Sequence, residues 1–183
     1  ILGGTDSQYD LSHGSTLPLM ARPWSFNTYA PQTNDDSMWW FHPQDRRFYG
    51  IRVTHQPSPW INDYGNFLLK ASIPQSNNYN SKDTVSGYSP KKATFTPYYF
   101  KSNMLAYGTI EDTMTMEFTP TSHGGIMRAK FPRKVSTPSD SGFLQNRRIS
   151  INLNGGGDSS TVTVTPEGLV RITGYSKHNH GGV

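Results

Sequence analysis

Met114, Met116 and Phe118 alternate with Thr113, Thr115, Glu117 and Thr119. Successive side chains of an extended chain point to opposite faces, so this pattern describes a strand with one apolar and one polar face. The same period of two recurs along the chain. Met127, Ala129 and Phe131 alternate with Arg128 and Lys130, and Ile149, Ile151 and Leu153 with Ser150, Asn152 and Asn154. Val162 and Val164 alternate with threonines, and Val170 and Ile172 with Arg171 and Thr173. Residues 48–55, 66–73 and 93–101 read as three further strands. No segment carries a 3.6-residue apolar period over eleven or more residues. Seventeen glycines and thirteen prolines supply turns between short strands. Half-polar strands build antiparallel sheets with one wet face. The expected fold is all-β: an antiparallel β-sandwich with long aromatic-rich loops, occupying residues 1–183 as one domain.

The remaining chain fits around those strands. Residues 1–47 are irregular but rich in aromatics, which argues for ordered loops and short strands rather than a disordered linker. Residues 74–90, rich in Ser, Asn and Tyr, read as a surface loop. Gly155-Gly156-Gly157-Asp158 reads as a hairpin loop and not a phosphate cradle, because no helix N-terminus follows it. A chain of 183 residues without cysteine excludes a disulfide scaffold and a thiolate metal site. No apolar run approaches the ~18 residues that span a bilayer, so no membrane partner is expected. The net charge of +4 is scattered in pairs such as Arg46-Arg47, Lys91-Lys92 and Arg147-Arg148. Without a basic face, no nucleic-acid partner is expected. The chain opens at Ile1 and not at Met, so a mature, trimmed or partial polypeptide is expected.

Chemistry concentrates in His55-Gln56-Pro57-Ser58-Pro59-Trp60-Ile61-Asn62-Asp63-Tyr64-Gly65. Two prolines separated by a single serine turn the chain out of the preceding strand. The turn carries an imidazole, an amide, an indole and a carboxylate, a set that can stack on a sugar and bond its hydroxyls. A plain turn residue bonding its own backbone explains Asp63 as well as a sugar contact does. Trp24, Trp39, Trp40 and Trp60 all fall in expected loops, where an indole can cover a pyranose or plug the end of the sandwich. His55, Trp60 and Asp63 are therefore the first candidates for substrate binding, with Trp39 and Trp40 behind them. No catalytic residue is assigned. There is no G-x-S-x-G elbow, and no second carboxylate pairs by spacing with Asp63. His178-x-His180 reads as a polar loop, so no metal ligand is assigned either.

Three blocks resemble the N-terminal domain of glycoside hydrolase family 92, the calcium-dependent exo-α-mannosidases. Leu2-Gly3-Gly4-Thr5-Asp6-Ser7, continuing through His13-Gly14-Ser15-Thr16-Leu17-Pro18-Leu19-Met20, is similar to the family's opening glycine-rich block. Phe48 to Trp60, running on to Asp63-Tyr64-Gly65, resembles its "GFSHTHLSGTG…DYGD". Tyr88-Ser89-Pro90-Lys91-Lys92-Ala93, Pro97-Tyr98-Tyr99-Phe100 and residues 113–120 resemble the third. His55-Gln56-Pro57-Ser58-Pro59-Trp60 departs from the usual His-Leu-Ser-Gly-Thr-Gly, which marks a divergent branch. The resemblance implies a sandwich that precedes a helical (α/α)₆ barrel absent from this chain. It places the general acid, the general base and most contacts to Ca2+ in that barrel, and none of the metal in this chain. It implies mannose-containing glycans and the C-terminal barrel domain as partners, an inverting reaction, and a secreted, periplasmic or cell-surface location. Glu117 falls on a family glutamate with an expected structural role. By itself this chain is expected to be catalytically silent. A stand-alone carbohydrate-binding sandwich and a purely structural sandwich are the rival readings.

Overall fold

The computed structural model describes residues 2–6, 13–14, 16–34, 41–54, 67–74, 85–106, 113–132, 147–153 and 159–175. Among the described residues the regular elements are strands and a short 3₁₀ turn, Pro90–Lys92. The chain is all-β, and two antiparallel sheets face each other as a sandwich. The first sheet, sheet A, has the order β1 (Thr28–Gln32), β3 (Gly50–Thr54), β4 (Phe67–Ser72), β10 (Arg148–Leu153). Sheet B runs β2 (Arg47–Phe48), β5 (Ser86–Tyr88), β7 (Tyr99–Leu105), β8 (Thr113–Pro120), β9 (Gly125–Lys130), and β6 (Thr94–Thr96) pairs with β7. A separate ribbon joins β11 (Ser159–Val164) to β12 (Val170–Tyr175).

The alternation in the sequence becomes the core. Phe100, Met104, Met114, Met116 and Phe118 point inward from sheet B and are buried. Tyr29, Ile51, Val53 and Ala71 meet them from sheet A. The Tyr29 and Phe118 rings lie 4.8 Å apart, tilted at 51°, and join the two sheets. Burying aromatic rings removes large areas from water, so a chain with only 33% hydrophobic residues still closes a core.

Several expectations change in detail. Residues 48–55 do not form one strand. The chain leaves sheet B after Phe48 and enters sheet A at Gly50, whose φ of 152° suits glycine. A Cβ there would meet the Leu69 carbonyl oxygen at 2.7 Å. Residues 93–101 split into β6 and β7 around Pro97-Tyr98, with Phe95 opposite Phe100. Residues 74–90 are more than a surface loop, since they contain β5 with Ser86 and Tyr88 buried. The segment 155–158 lies outside the described residues, yet its flanking strands are not hairpin partners. β10 pairs with β4, and β11 pairs with β12. Local turn chemistry gave no sign that β10 would cross to sheet A. Sheet A also lacks the expected wet face across its middle: Thr54, Leu68, Lys70 and Ser72 are buried, with Tyr49, Leu68 and Val85 clustered there. Burial lowers the Lys70 ammonium to a pKa of about 8.

On the wet face of sheet B, Glu117 joins three strands. Tyr99 donates its hydroxyl to Oε1 at 2.5 Å, and Arg128 donates Nε to Oε2 at 2.5 Å. The Arg128 and Tyr99 hydrogen bonds hold the Glu117 carboxyl down at about 2. A depressed carboxylate stabilises the fold at neutral pH and loses that contribution as pH falls through its folded pKa. The denaturation midpoint should therefore fall between about pH 4.5 and 2, and Glu117→Gln should flatten that fall; an identical acid profile in the variant would remove the role. Gly50→Ala should cost about 1–3 kcal/mol in urea unfolding, because neither the backbone angle nor the Leu69 carbonyl can give way cheaply.

Candidate functional site

Sheet register divides the sandwich into two ends. Thr28 of β1 lies opposite Thr54 of β3, and Gln32 lies opposite Gly50. β4 runs back beside β3, which places Phe67 at the Thr54 end. His55, Trp60 and Asp63 lie outside the described residues, in a segment that leaves from Thr54 and rejoins at Phe67. Trp39 and Trp40 also lie outside them, in a segment that leaves from Asn34 beyond Gln32. That segment rejoins at Phe41, which is buried against Leu17 and Ala30. The roots at Thr54 and Asn34 are thus separated by the length of β1, about 15 Å for five residues. The structure does not bring these two roots to one end.

The Thr54 end carries an aromatic rim among the described residues. Three turns meet there: 22–27 before β1, 97–98 between β6 and β7, and 121–124 between β8 and β9. Backbone bonds lock them together, from Phe26 N to the Ser122 oxygen at 2.9 Å and from Ala21 N to the Pro97 oxygen at 2.7 Å. Asn27 donates its amide to the His123 carbonyl at 3.5 Å, and the Phe26 and His123 rings stack at 6.4 Å. The Asn27 side chain also bonds the Tyr29 hydroxyl, whose pKa is nevertheless raised, chiefly by burial. Trp24, Phe26, Tyr98 and Ile126 are exposed around these turns, the Trp24 indole completely.

The Asn34 end is polar. Gly4 and Gly14 approach so closely that a Cβ on Gly14 would meet the Gly4 Cα at 2.6 Å, so the opening glycine-rich block folds back on itself. Asp6 projects from this block and pairs with His42 Nε2 at 2.9 Å. Thr33 Oγ1 accepts the His42 N–H at 2.9 Å and donates to Asp45 Oδ2 at 2.6 Å. The Asn34 amide reaches the same carboxylate oxygen at 3.4 Å. Arg52 donates Nε and Nη2 to Gln32 Oε1 at 2.8 and 2.6 Å. This network clamps both roots of the Trp39–Trp40 segment, so Asp6, Asp45 and the His42 imidazole serve as braces. Among the described residues no group of three or more His, Asp or Glu gathers to hold a metal ion. Among the described residues no helix is long and apolar enough to cross a membrane.

Sequence reasoning placed Trp24 among four loop indoles without singling it out. The available signal was Pro23-Trp24, a proline followed by a bulky residue where a turn is needed.

Residues 1–182 match the family profile of the glycosyl hydrolase family 92 N-terminal domain. No curated protein matches the chain. Among solved structures, it is similar to an inverting mannosidase of family GH92 from Bacteroides thetaiotaomicron VPI-5482, at 30% identity and a TM-score of 0.73. It is also similar in fold to ccman5, a GH92 family glycosyl hydrolase, at 13% identity and a TM-score of 0.70. The matches cover 100% and 95% of this chain but only 22% and 23% of those two. The chain thus spans less than a quarter of the relatives' length.

Thr33→Val should leave the His42 N–H and the Asp45 carboxylate short of a partner and cost about 1–3 kcal/mol in chemical denaturation. A midpoint equal to that of the wild type would show that the clamp contributes nothing.

Proposed function

This chain belongs to glycosyl hydrolase family 92 as an N-terminal domain, and on that premise we propose that it is part of an exo-acting, inverting α-mannosidase. Such an enzyme removes terminal α-mannosyl residues from glycans. The observation that carries this reading is the family match over residues 1–182, together with the 30% identity to an inverting mannosidase. Inversion needs one carboxylic acid to protonate the leaving oxygen and one base to activate water from the opposite face. Asp45 and Glu117 are committed to internal hydrogen bonds, so we assign the acid and base to the larger C-terminal domain. Calcium, too, belongs with that domain, where it would polarise the sugar hydroxyls. This chain contributes binding groups: His55, Trp60 and Asp63 first, Trp39 and Trp40 second. Mannose-containing glycans are the substrates, encountered outside the cytoplasm.

The ribbon β11–β12 supports a large intramolecular partner. Val162 faces Ile172 and Val164 faces Val170, which places four β-branched side chains on one side of a two-stranded hairpin. All four are exposed, as are Ile149 and Ile151 of β10. An isolated ribbon is marginal in water, and an apolar face of this kind calls for cover. The C-terminal helical domain is the cover we propose.

The 183-residue chain, assayed alone on α-1,2-mannobiose with calcium, should show no turnover; hydrolysis at a useful rate would refute the division of labour. In the full-length enzyme, Trp60→Ala should lower kcat/KM for mannosides about tenfold, since one lost stacking contact is worth about 1 kcal/mol or slightly more. Unchanged kinetics would remove Trp60 from the pocket.

A further inference from the structure

Arg22, Pro23, Trp24 and Ser25 form a turn closed by the Ser25 N–H on the Arg22 carbonyl at 2.9 Å. Proline stands at the second position and Trp24 at the third, with φ at 63°. A turn with proline second and a left-handed residue third follows the type II pattern, and glycine or asparagine ordinarily fills that third position. A bulky side chain there is strained. Among the described residues no packing of the side chain compensates the strain, because the Trp24 indole is fully exposed. It is the one non-glycine residue with positive φ among the described residues.

We propose that the Trp24 indole is a stacking platform for a pyranose ring of a mannose-containing glycan. The proposal rests on the mannosidase reading above and extends it to a residue that neither the family match nor the motif of residues 55–65 assigns. An indole face attracts the polarised C–H groups of a sugar ring, and a platform works best when it is held still. The base of this one is fixed. Ser25 donates its hydroxyl to the Asn27 carbonyl at 2.7 Å, and Phe26 and Asn27 are tied to Ser122 and His123. Phe26, Tyr98 and His123 stand around the same end, offering further ring faces, a hydroxyl and an imidazole. Position adds to chemistry: Trp24 precedes β1 at the Thr28–Thr54 end, from which the segment bearing His55, Trp60 and Asp63 departs.

The test uses the full-length protein, with Trp24→Gly and Trp24→Phe. Equilibrium binding is measured to α-mannosides, β-glucosides and α-galactosides, beside the Tm. Trp24→Gly should lose α-mannoside affinity about threefold to tenfold, the value of one aromatic stacking contact, while Tm stays equal or rises because glycine relaxes the turn. Trp24→Phe should keep part of the affinity. Unchanged affinity for every sugar in Trp24→Gly would overturn the platform. So would a lowered Tm accompanying the loss, since that would mean the indole is buried against the rest of the protein. If the glycine variant instead loses affinity for a different sugar class that the wild type prefers, the platform stands and the mannoside reading falls.

Discussion

The contact between Tyr29 and Phe118 holds the two halves of this molecule in register. It joins β1 to β8 across the sandwich, two residues from where the Trp24–Asn27 turn enters β1. Asn27 reaches back to the Tyr29 hydroxyl, and Met20 pairs with Tyr29 through two backbone bonds. The turns of one sheet can therefore lean on the turns of the other. Without that seam, Phe26 and Ser122 would belong to separate surfaces and the rim would have no fixed geometry.

The two ends of the sandwich are built from different interactions. At the Asn34 end, Thr33, His42 and Asp45 satisfy one another, and the Asp6 carboxylate from the glycine-rich opening contacts His42 Nε2. Polar groups there hold a loop in place. At the Thr54 end, backbone bonds and the small side chains of Ser25 and Asn27 do the holding and leave the Trp24, Phe26 and Tyr98 rings exposed. Groups that are spent bracing a fold are not free to bind, whereas exposed rings on a rigid base are. The acidic cluster thus braces the fold, whereas the aromatic rim leaves its rings exposed.

Glu117 illustrates the same economy on the wet face of sheet B. Its carboxylate is held ionised by Arg128 and Tyr99 and ties three strands together. The valines and isoleucine of β11 and β12, by contrast, are exposed and make no such internal contact across the sandwich core among the described residues.

What the amino-acid order determined by itself was the strand content and, for β8, the inward face; the same alternation in β10, β11 and β12 marks apolar faces that are exposed. Met114, Met116 and Phe118 could be placed in the core from their spacing, because a period of two is a local property of extended chain. The family blocks were equally legible, since they are strings of residues. Tertiary structure decided which strands pair and what lies at each end. That β10 joins β4, that the chain changes sheets at Gly50, and that Trp24 shares an end with the root of residues 55–66 all depend on partners distant in sequence. Local residues carry no signal for such choices, because strand pairing is selected by the packing of the whole core and not by either strand alone.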